Sequence, residues 1–127
     1  MYSTLIQYPC EVDFEITAIS SGTSNDSGYI SLWQTTSTST ASQQRYNQYY
    51  SSSNLKISKD NVLNNTVAVS SKTGVYKLKI YSDKIETYKD GTLLNTMTYS
   101  NASGYLSFTG GNANRYLTIK DLKIKPL

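Results

Sequence analysis

The sequence contains no histidine, one cysteine, two prolines and a single tryptophan among its 127 residues. Zinc sites and Ser–His or Cys–His nucleophilic centres need histidine or several cysteines, so both kinds of site are excluded. One thiol allows no internal disulfide, and we expect Cys10 to be a small buried side chain. We find no apolar run long enough to cross a membrane and no signal-peptide pattern, and we therefore expect no membrane insertion.

Charge is also sparse. The formal net charge is +3, and the lysines are spread through the C-terminal half rather than gathered in blocks. That spacing is typical of solvated strand faces and protected sheet edges, not of a nucleic-acid surface. No RNA-binding signature accompanies the 12 tyrosines, so we expect no nucleic-acid partner.

The residues that are abundant predict strands. β-branched and aromatic residues alternate with Ser, Thr and Asn, which is typical of all-β proteins. The pattern predicts nine or ten strands in a two-layer antiparallel β-sandwich. Residues 1–127 form a single domain in this prediction, and we expect that domain to be cut from a longer protein. The residues predicted to face the core are Val12, Phe14, Ile16, Ala18, Ile30, Leu32, Tyr76, Leu78 and Ile80.

Two segments depart from simple alternation. Residues 36–54 are polar and poor in aliphatic side chains, which indicates either a long loop or an exposed edge strand. In the last strand, Leu117 and Ile119 have one parity while Leu122 and Ile124 have the other. A β-bulge near residues 120–121 would bring all four side chains into one core.

The C-terminal half carries three motifs, which read YKDG at Tyr88–Gly91, GYL at Gly104–Leu106 and IKDLKI at Ile119–Ile124. Together they resemble the final strands of concanavalin A-like (laminin G-like) jelly rolls. The resemblance implies a concanavalin A-like β-sandwich of the non-catalytic, carbohydrate-binding kind found in phage tail and baseplate proteins, adhesins and secreted enzymes. It also implies an extracellular, cell-surface or virion location.

The same superfamily includes β-glucanases, whose active-site strand reads Glu-x-Asp-x-Glu, and Glu11-Val12-Asp13-Phe14-Glu15 matches that pattern. The resemblance would make Glu11 the nucleophile, Asp13 its helper and Glu15 the acid/base. However, only ten residues precede Glu11, and residues i and i+4 of a strand are roughly 13 Å apart at Cα, whereas a retaining glycosidase needs carboxyl groups about 5–5.5 Å apart. The alternative is an ordinary solvated strand face, and we expect no enzyme.

The candidate ligand-binding residues lie in and near the polar segment. Aromatic faces, amides and guanidinium groups are the side chains that recognise sugars, and an exposed cluster of them usually marks a binding surface. The alternatives are an edge strand whose tyrosines cover the sheet and, for the tryptophan, a place in the core. The predicted ligand-binding residues are Trp33, Arg45, Tyr46, Asn47, Gln48, Tyr49 and Tyr50.

No cofactor is predicted. Calcium stays open, because oxygen ligands could come from Asn25 and Asp26, or from residues 60–61 together with 64–65, although neither set has the spacing of a calcium loop. The main hypothesis is a module that binds a cell-surface or cell-wall polysaccharide and gains avidity within a larger assembly, which can be oligomeric. The alternatives are a structural or protein-interaction domain of a phage tail, fibre or adhesin, and a small β-glucanase.

Overall fold

The computed structural model describes residues 4–20, 26–34, 44–111 and 115–127, and these residues form strands and turns without any helix. Eleven strands are present in the described part of the chain, slightly more than the nine or ten predicted. They are β1 (Leu5–Ile6), β2 (Cys10–Ile19), β3 (Ser27–Trp33), β4 (Gln44–Ser51), β5 (Asn54–Lys59), β6 (Val62–Ala68), β7 (Gly74–Ile80), β8 (Lys84–Lys89), β9 (Thr92–Thr98), β10 (Gly104–Thr109) and β11 (Leu117–Pro126).

The strands form two antiparallel sheets that pack into a sandwich. Sheet A has six strands in the order β1-β10-β3-β4-β5-β6, and sheet B has five in the order β11-β2-β7-β8-β9. The inner faces of both sheets make one core, and Cys10 is buried in it as expected. All but one of the predicted core residues are buried, and Ala18 is half-buried. The predicted all-β sandwich is confirmed.

Aromatic rings fill the middle of the core. Phe14 stacks on Tyr76 with ring centroids 5.5 Å apart, and the edge of Phe108 meets Phe14 at 5.2 Å. Tyr50 meets Tyr76 edge-on at 6.4 Å. These contacts join β2 and β7 of sheet B to β4 and β10 of sheet A, so ring packing fixes the position of one sheet against the other.

The polar segment holds the largest departure from prediction. Its described part forms β4, which lies between β3 and β5 inside sheet A rather than at an edge or in a loop. Tyr46, Gln48 and Tyr50 face the core with no exposed area. Hydrogen bonds satisfy only part of this buried polar surface. The Tyr46 hydroxyl donates to Gln48 Oε1 at 2.8 Å and lies 3.0 Å from Thr87 Oγ1 of the opposite sheet, whereas Gln48 Nε2 and the Tyr50 hydroxyl have no partner among the described residues. Residues 36–43 lie outside the described residues.

The predicted bulge in the last strand is confirmed, but its expected effect on burial is only half right. The pairing of β11 with β2 shifts between Lys120 and Lys123, and Asp121 has a positive φ of 56°. Leu117 and Ile119 pack against the core, whereas Leu122 and Ile124 are 44% and 41% exposed. They remain exposed because β11 is the outer strand of sheet B.

An internal repeat relates two hairpins. Residues 59–66 and 89–96 share the pattern Lys-Asp-x-x-Leu-x-Asn-Thr, and they form the β5–β6 and β8–β9 turns, one in each sheet. Both turns have two residues with positive φ, and both hairpins shift register at the same position of the pattern. The equivalent Asn65 and Asn95 meet across the two sheets, where Asn65 Nδ2 donates to Asn95 Oδ1 at 2.8 Å.

Tyr46→Phe tests the polar contact in the core. The substitution leaves Gln48 Oε1 and Thr87 Oγ1 without the hydroxyl that now contacts them, so we expect the free energy of unfolding to fall by about 1–3 kcal/mol. Chemical denaturation measures it. Tyr116→Phe is the control, because Tyr116 is 55% exposed, and its loss of stability should be close to zero. Equal losses in the two variants would contradict the assignment.

Candidate functional site

The three acids of β2 line the outer face of sheet B between two lysine-bearing strands, β7 and β11. Lys125 Nζ lies 3.1 Å from a Glu11 carboxylate oxygen and 3.3 Å from one of Asp13, and Lys77 reaches Glu11 at 3.5 Å. Glu15 pairs with Lys120 at 3.7 Å. Side chains directly opposite each other alternate in sign along the row Lys125–Glu11–Lys79–Glu86. This face is therefore a lattice of cross-strand ion pairs.

Burial and ion pairing have opposite effects on the pKa values of the two carboxyl groups in contact, Glu11 and Asp13. Burial alone would raise the pKa of Glu11, but hydrogen bonds from Asp13 and Lys125 and the charges of Lys77 and Lys125 outweigh it and hold that pKa below its ordinary value. Burial, together with the neighbouring Glu11, raises the pKa of Asp13. Glu11 is only 6% exposed, so the predicted solvated face is corrected at this residue. Its carboxylate meets lysines more than water.

These contacts favour a structural interpretation of the Glu-x-Asp-x-Glu pattern. The carboxyl groups in contact are those of Glu11 and Asp13, whereas Glu15 pairs separately with Lys120. A retaining glycosidase needs its nucleophile and its acid/base to act as a pair, which here would be Glu11 and Glu15, and these two carboxylates have separate lysine partners.

The outer face of sheet A has a different character. Four small polar side chains from four neighbouring strands form one row across it, in the register Ser107–Ser31–Asn47–Ser58. All four are nearly buried although they point away from the core, with exposures of 2–7%. Strands lie about 4.8 Å apart, so the row is roughly 14 Å long.

Aromatic residues flank the row on both sides. Trp33 and Tyr105 are paired neighbours on one side, two positions along the strands from the row. On the other side Tyr29 stacks on Tyr49 with ring centroids 5.2 Å apart and an interplanar angle of 20°. Because four residues along a strand span roughly 13 Å, the row of small residues lies between the two aromatic pairs; we call the row the floor and the aromatic pairs the walls. We call these eight residues the sheet A groove: Tyr29, Ser31, Trp33, Asn47, Tyr49, Ser58, Tyr105 and Ser107.

Hydrogen bonds tie the walls to the floor. Trp33 Nε1 donates to Ser107 Oγ at 2.9 Å, and Ser31 Oγ donates to Asn47 Oδ1 at 2.7 Å. A side-chain hydrogen bond also links Tyr49 to Ser58. Burial, aided by nearby Asp26, raises the pKa of Tyr29 to about 12. The groove is thus a preorganised set of aromatic faces, hydroxyls and one amide.

The structure divides the residues that the sequence predicted for ligand binding. Trp33, Asn47 and Tyr49 lie in the groove, and their role in binding stays a prediction. Tyr46, Gln48 and Tyr50 are corrected: alternation along β4 turns them into the core, where they have no exposed area.

Arg45 makes structural contacts instead of standing in the groove. Its Nη1 donates to the carbonyl oxygens of Asn101 and Ser103, in the loop between β9 and β10. The guanidinium group therefore anchors a connection between the two sheets, and its predicted contact with a ligand stays untested.

Sequence reasoning missed part of the groove floor. Alternation with the core residues Ile30 and Leu32 is enough to put Tyr29 and Ser31 on the outward face of β3. Ser58 and Ser107 are short polar residues in strands whose neighbours were unknown, so nothing in the sequence marked them. Only cross-strand register brings them beside Asn47.

Two of the residues considered for calcium have protein partners. The described residues contain no group of three or more acidic or cysteine side chains that could hold a metal. Asp60 accepts a hydrogen bond from the Tyr99 hydroxyl, and Asn65 is bonded to Asn95. Asn25 lies outside the described residues. Across the part of the chain that the structure covers, no helix could span a membrane.

Comparison with known proteins identifies the fold. No protein-family model and no curated protein sequence matches the chain. The carbohydrate-binding module CBM66 from Bacillus subtilis aligns over 97% of this chain and 78% of its own, with a TM-score of 0.68 and 14% identity. Sheep galectin-11, solved with glycerol, aligns over 98% of both chains with a TM-score of 0.61 and 8% identity. CG-16, a homodimeric agglutinin from chicken liver, aligns over 98% of this chain and 97% of its own with a TM-score of 0.58 and 9% identity.

At these identities the likeness concerns the fold. The chain has the jelly-roll β-sandwich of these lectin-like structures, as its resemblance to concanavalin A-like domains implied.

Glu11→Gln tests the ion-pair lattice. Because the folded-state pKa of Glu11 lies below its ordinary value of 4.5, its ion pairs stabilise the fold above that pH, and this contribution is lost as the pH falls through the folded-state pKa. We expect the variant to lose about 1–3 kcal/mol at neutral pH, the range for a hydrogen-bonded charged group, and much less at pH 3. Denaturation across this pH range measures it.

Glu15→Gln is the matched control. The Glu15 carboxylate has one lysine partner at 3.7 Å, and both side chains are at least a third exposed, so we expect a loss near zero. A Glu11→Gln variant whose deficit is the same at pH 3 and at pH 7 would contradict the ion-pair account.

Proposed function

We propose that this chain is a non-catalytic carbohydrate-binding domain that holds a glycan in the sheet A groove. The observation that carries the proposal is the nearly buried row Ser107–Ser31–Asn47–Ser58 between two aromatic walls. A surface that only meets water has no need of ordered hydroxyls beside paired aromatic rings. Exposed aromatics next to hydrogen-bonding groups are instead the usual composition of a recognition surface.

The chemistry of the groove suits a saccharide. The stacked pair Tyr29–Tyr49 and the wall formed by Trp33 and Tyr105 present apolar ring surface to the C–H groups of a sugar. The floor supplies hydroxyls and an amide, groups that both donate and accept hydrogen bonds, as sugar hydroxyls do. None of the eight groove residues is charged, and the carboxylate of Asp26 lies beside Tyr29. These groups favour a neutral, polar ligand that is held at a shallow site.

The preferred target is a cell-surface or cell-wall polysaccharide. A floor roughly 14 Å long contacts only a short stretch of a glycan, so we expect weak binding to single sites and strong binding to repeated units through avidity. The names of the similar structures, a carbohydrate-binding module and an agglutinin, support this proposal. An extracellular or virion location belongs to it.

Binding is testable through the single tryptophan. Trp33 is the only indole in the chain and stands in the groove wall, so its fluorescence should respond when a sugar ring contacts that wall. We expect a glycan array and affinity electrophoresis in gels containing plant, fungal and bacterial polysaccharides to identify a ligand. Titration with that ligand should then shift or quench Trp33 emission with a saturable dependence on concentration.

Two outcomes would contradict the proposal. One is the absence of binding to every polysaccharide at millimolar saccharide, which favours a structural domain of a tail, fibre or adhesin. The other is release of reducing sugar from a bound polysaccharide, which would restore the glucanase hypothesis. Glu15→Gln identifies the source of such activity.

Substitution on the two outer faces locates the site. We expect Tyr29→Ala and Asn47→Ala each to weaken binding about tenfold or more, which corresponds to about 1.4 kcal/mol, because they remove half of a stacked wall and the amide of the floor. Isothermal titration calorimetry measures the affinities. Tyr88→Ala is the matched control: Tyr88 is a half-buried tyrosine on the outer face of sheet B, and its loss should leave affinity unchanged. Equal effects of Tyr29→Ala and Tyr88→Ala would place the site elsewhere.

A further inference from the structure

A small group of polar side chains lies between the two sheets, beside strands β6 and β9. In sheet A, Gln48 and Asn65 stand on either side of Ile57 in one cross-strand row. In sheet B, Thr87 and Asn95 are directly paired. Together with a tyrosine of β4 these side chains form a set without charge, which we call the inter-sheet polar cluster: Tyr46, Gln48, Asn65, Thr87 and Asn95.

Hydrogen bonds divide the inter-sheet polar cluster into two groups. The Tyr46 hydroxyl joins the first group, since it lies 2.8 Å from Gln48 Oε1 and 3.0 Å from Thr87 Oγ1. The second group is Asn65 and Asn95, joined by the bond from Asn65 Nδ2 to Asn95 Oδ1 at 2.8 Å. The groups adjoin at the pair Thr87 and Asn95, yet within the described residues no hydrogen bond connects them.

Each group contains one donor that lacks a partner. Gln48 Nε2 and Asn95 Nδ2 are buried, and neither has a hydrogen-bond acceptor in the part of the chain that the structure describes. Gln48 has no exposed area and Asn95 is only 8% exposed. Leaving a buried amide N–H unpaired is costly, so both nitrogens need an acceptor that the surrounding side chains do not supply.

The orientation of the amides follows from the network. The backbone N–H of Thr66 donates to Asn65 Oδ1 at 2.9 Å, which fixes the oxygen end of the Asn65 amide. Its nitrogen therefore meets the oxygen of Asn95, and the nitrogen of Asn95 must point away from Asn65. Exchanging the oxygen and nitrogen of Gln48 would only replace an unpaired donor with an unpaired acceptor. Reorienting the amides thus leaves the need for a further partner unchanged.

We propose that the inter-sheet polar cluster binds an internal water molecule, which accepts hydrogen bonds from Gln48 Nε2 and Asn95 Nδ2 and so connects the two groups. An internal water needs two to four polar partners. The two nitrogens supply two, and the amide oxygens of the cluster have second lone pairs that can accept the protons of the water. Water fits better than an anion, because the cluster has no positive charge and an anion could not donate in return.

Short side chains provide the space. Thr87 and Asn95 are shorter than Ile85 and Met97, the neighbouring inward pair on the same two strands, so the gap between the sheets is less completely filled at their level. Internal waters occupy polar gaps of this kind. Asn65 is exposed and covers Asn95, so movement of one surface side chain gives water a route to the cluster. The bound water would link β4 of sheet A to β9 of sheet B.

A high-resolution crystal structure and a count of long-lived waters test the proposal. We expect density between the two nitrogens, about 2.7–3.2 Å from each. In solution, magnetic relaxation dispersion of isotope-labelled water counts the molecules that exchange slowly. Gln48→Met with Asn95→Leu replaces both amides with apolar side chains of similar size, and we expect this double variant to hold one slowly exchanging water fewer than the unaltered protein.

Asn64→Leu is the matched control. Asn64 is an exposed amide on β6, so its loss should leave the number of slowly exchanging waters unchanged. Circular dichroism and thermal melting verify that the variants fold, and the crystal structure of the unaltered protein decides the matter if the double variant does not. The proposal is overturned if that structure shows no density between Gln48 Nε2 and Asn95 Nδ2, or shows chloride there by anomalous scattering. It is equally overturned if a folded double variant keeps the same number of long-lived waters.

Discussion

The contact of aromatic rings between the sheets is the constraint on which the rest of the structure depends. Phe14 and Tyr76 of sheet B meet Tyr50 and Phe108 of sheet A, and a strand sends alternate side chains to opposite faces. Once Tyr50 and Tyr46 point inward along β4, Asn47 and Tyr49 must point outward. The core tyrosines thus determine which side chains build the groove. A shift of one residue in β4 would exchange the two sets completely.

The two outer faces differ in how their outward polar groups are hydrogen-bonded. Sheet B pairs its outward acids within the protein, because each acid of β2 has a lysine neighbour. Sheet A instead presents hydroxyls and an amide that retain further hydrogen-bonding capacity, beside rings that are only half-buried. The difference between the faces is therefore one of remaining binding capacity rather than of exposure.

How much of the fold and of the groove could be predicted depends on whether a residue type indicates by itself which face of its strand is buried. Strand alternation was sufficient for Val12, Phe14 and Ile16, because aliphatic and aromatic letters mark the inner face directly. It failed for β4, where the core-facing positions are tyrosine and glutamine and the hydroxyl of Tyr46 finds its partner Thr87 in the other sheet. That partner is 41 residues away. Contacts at such separation are a property of topology, which no local pattern encodes.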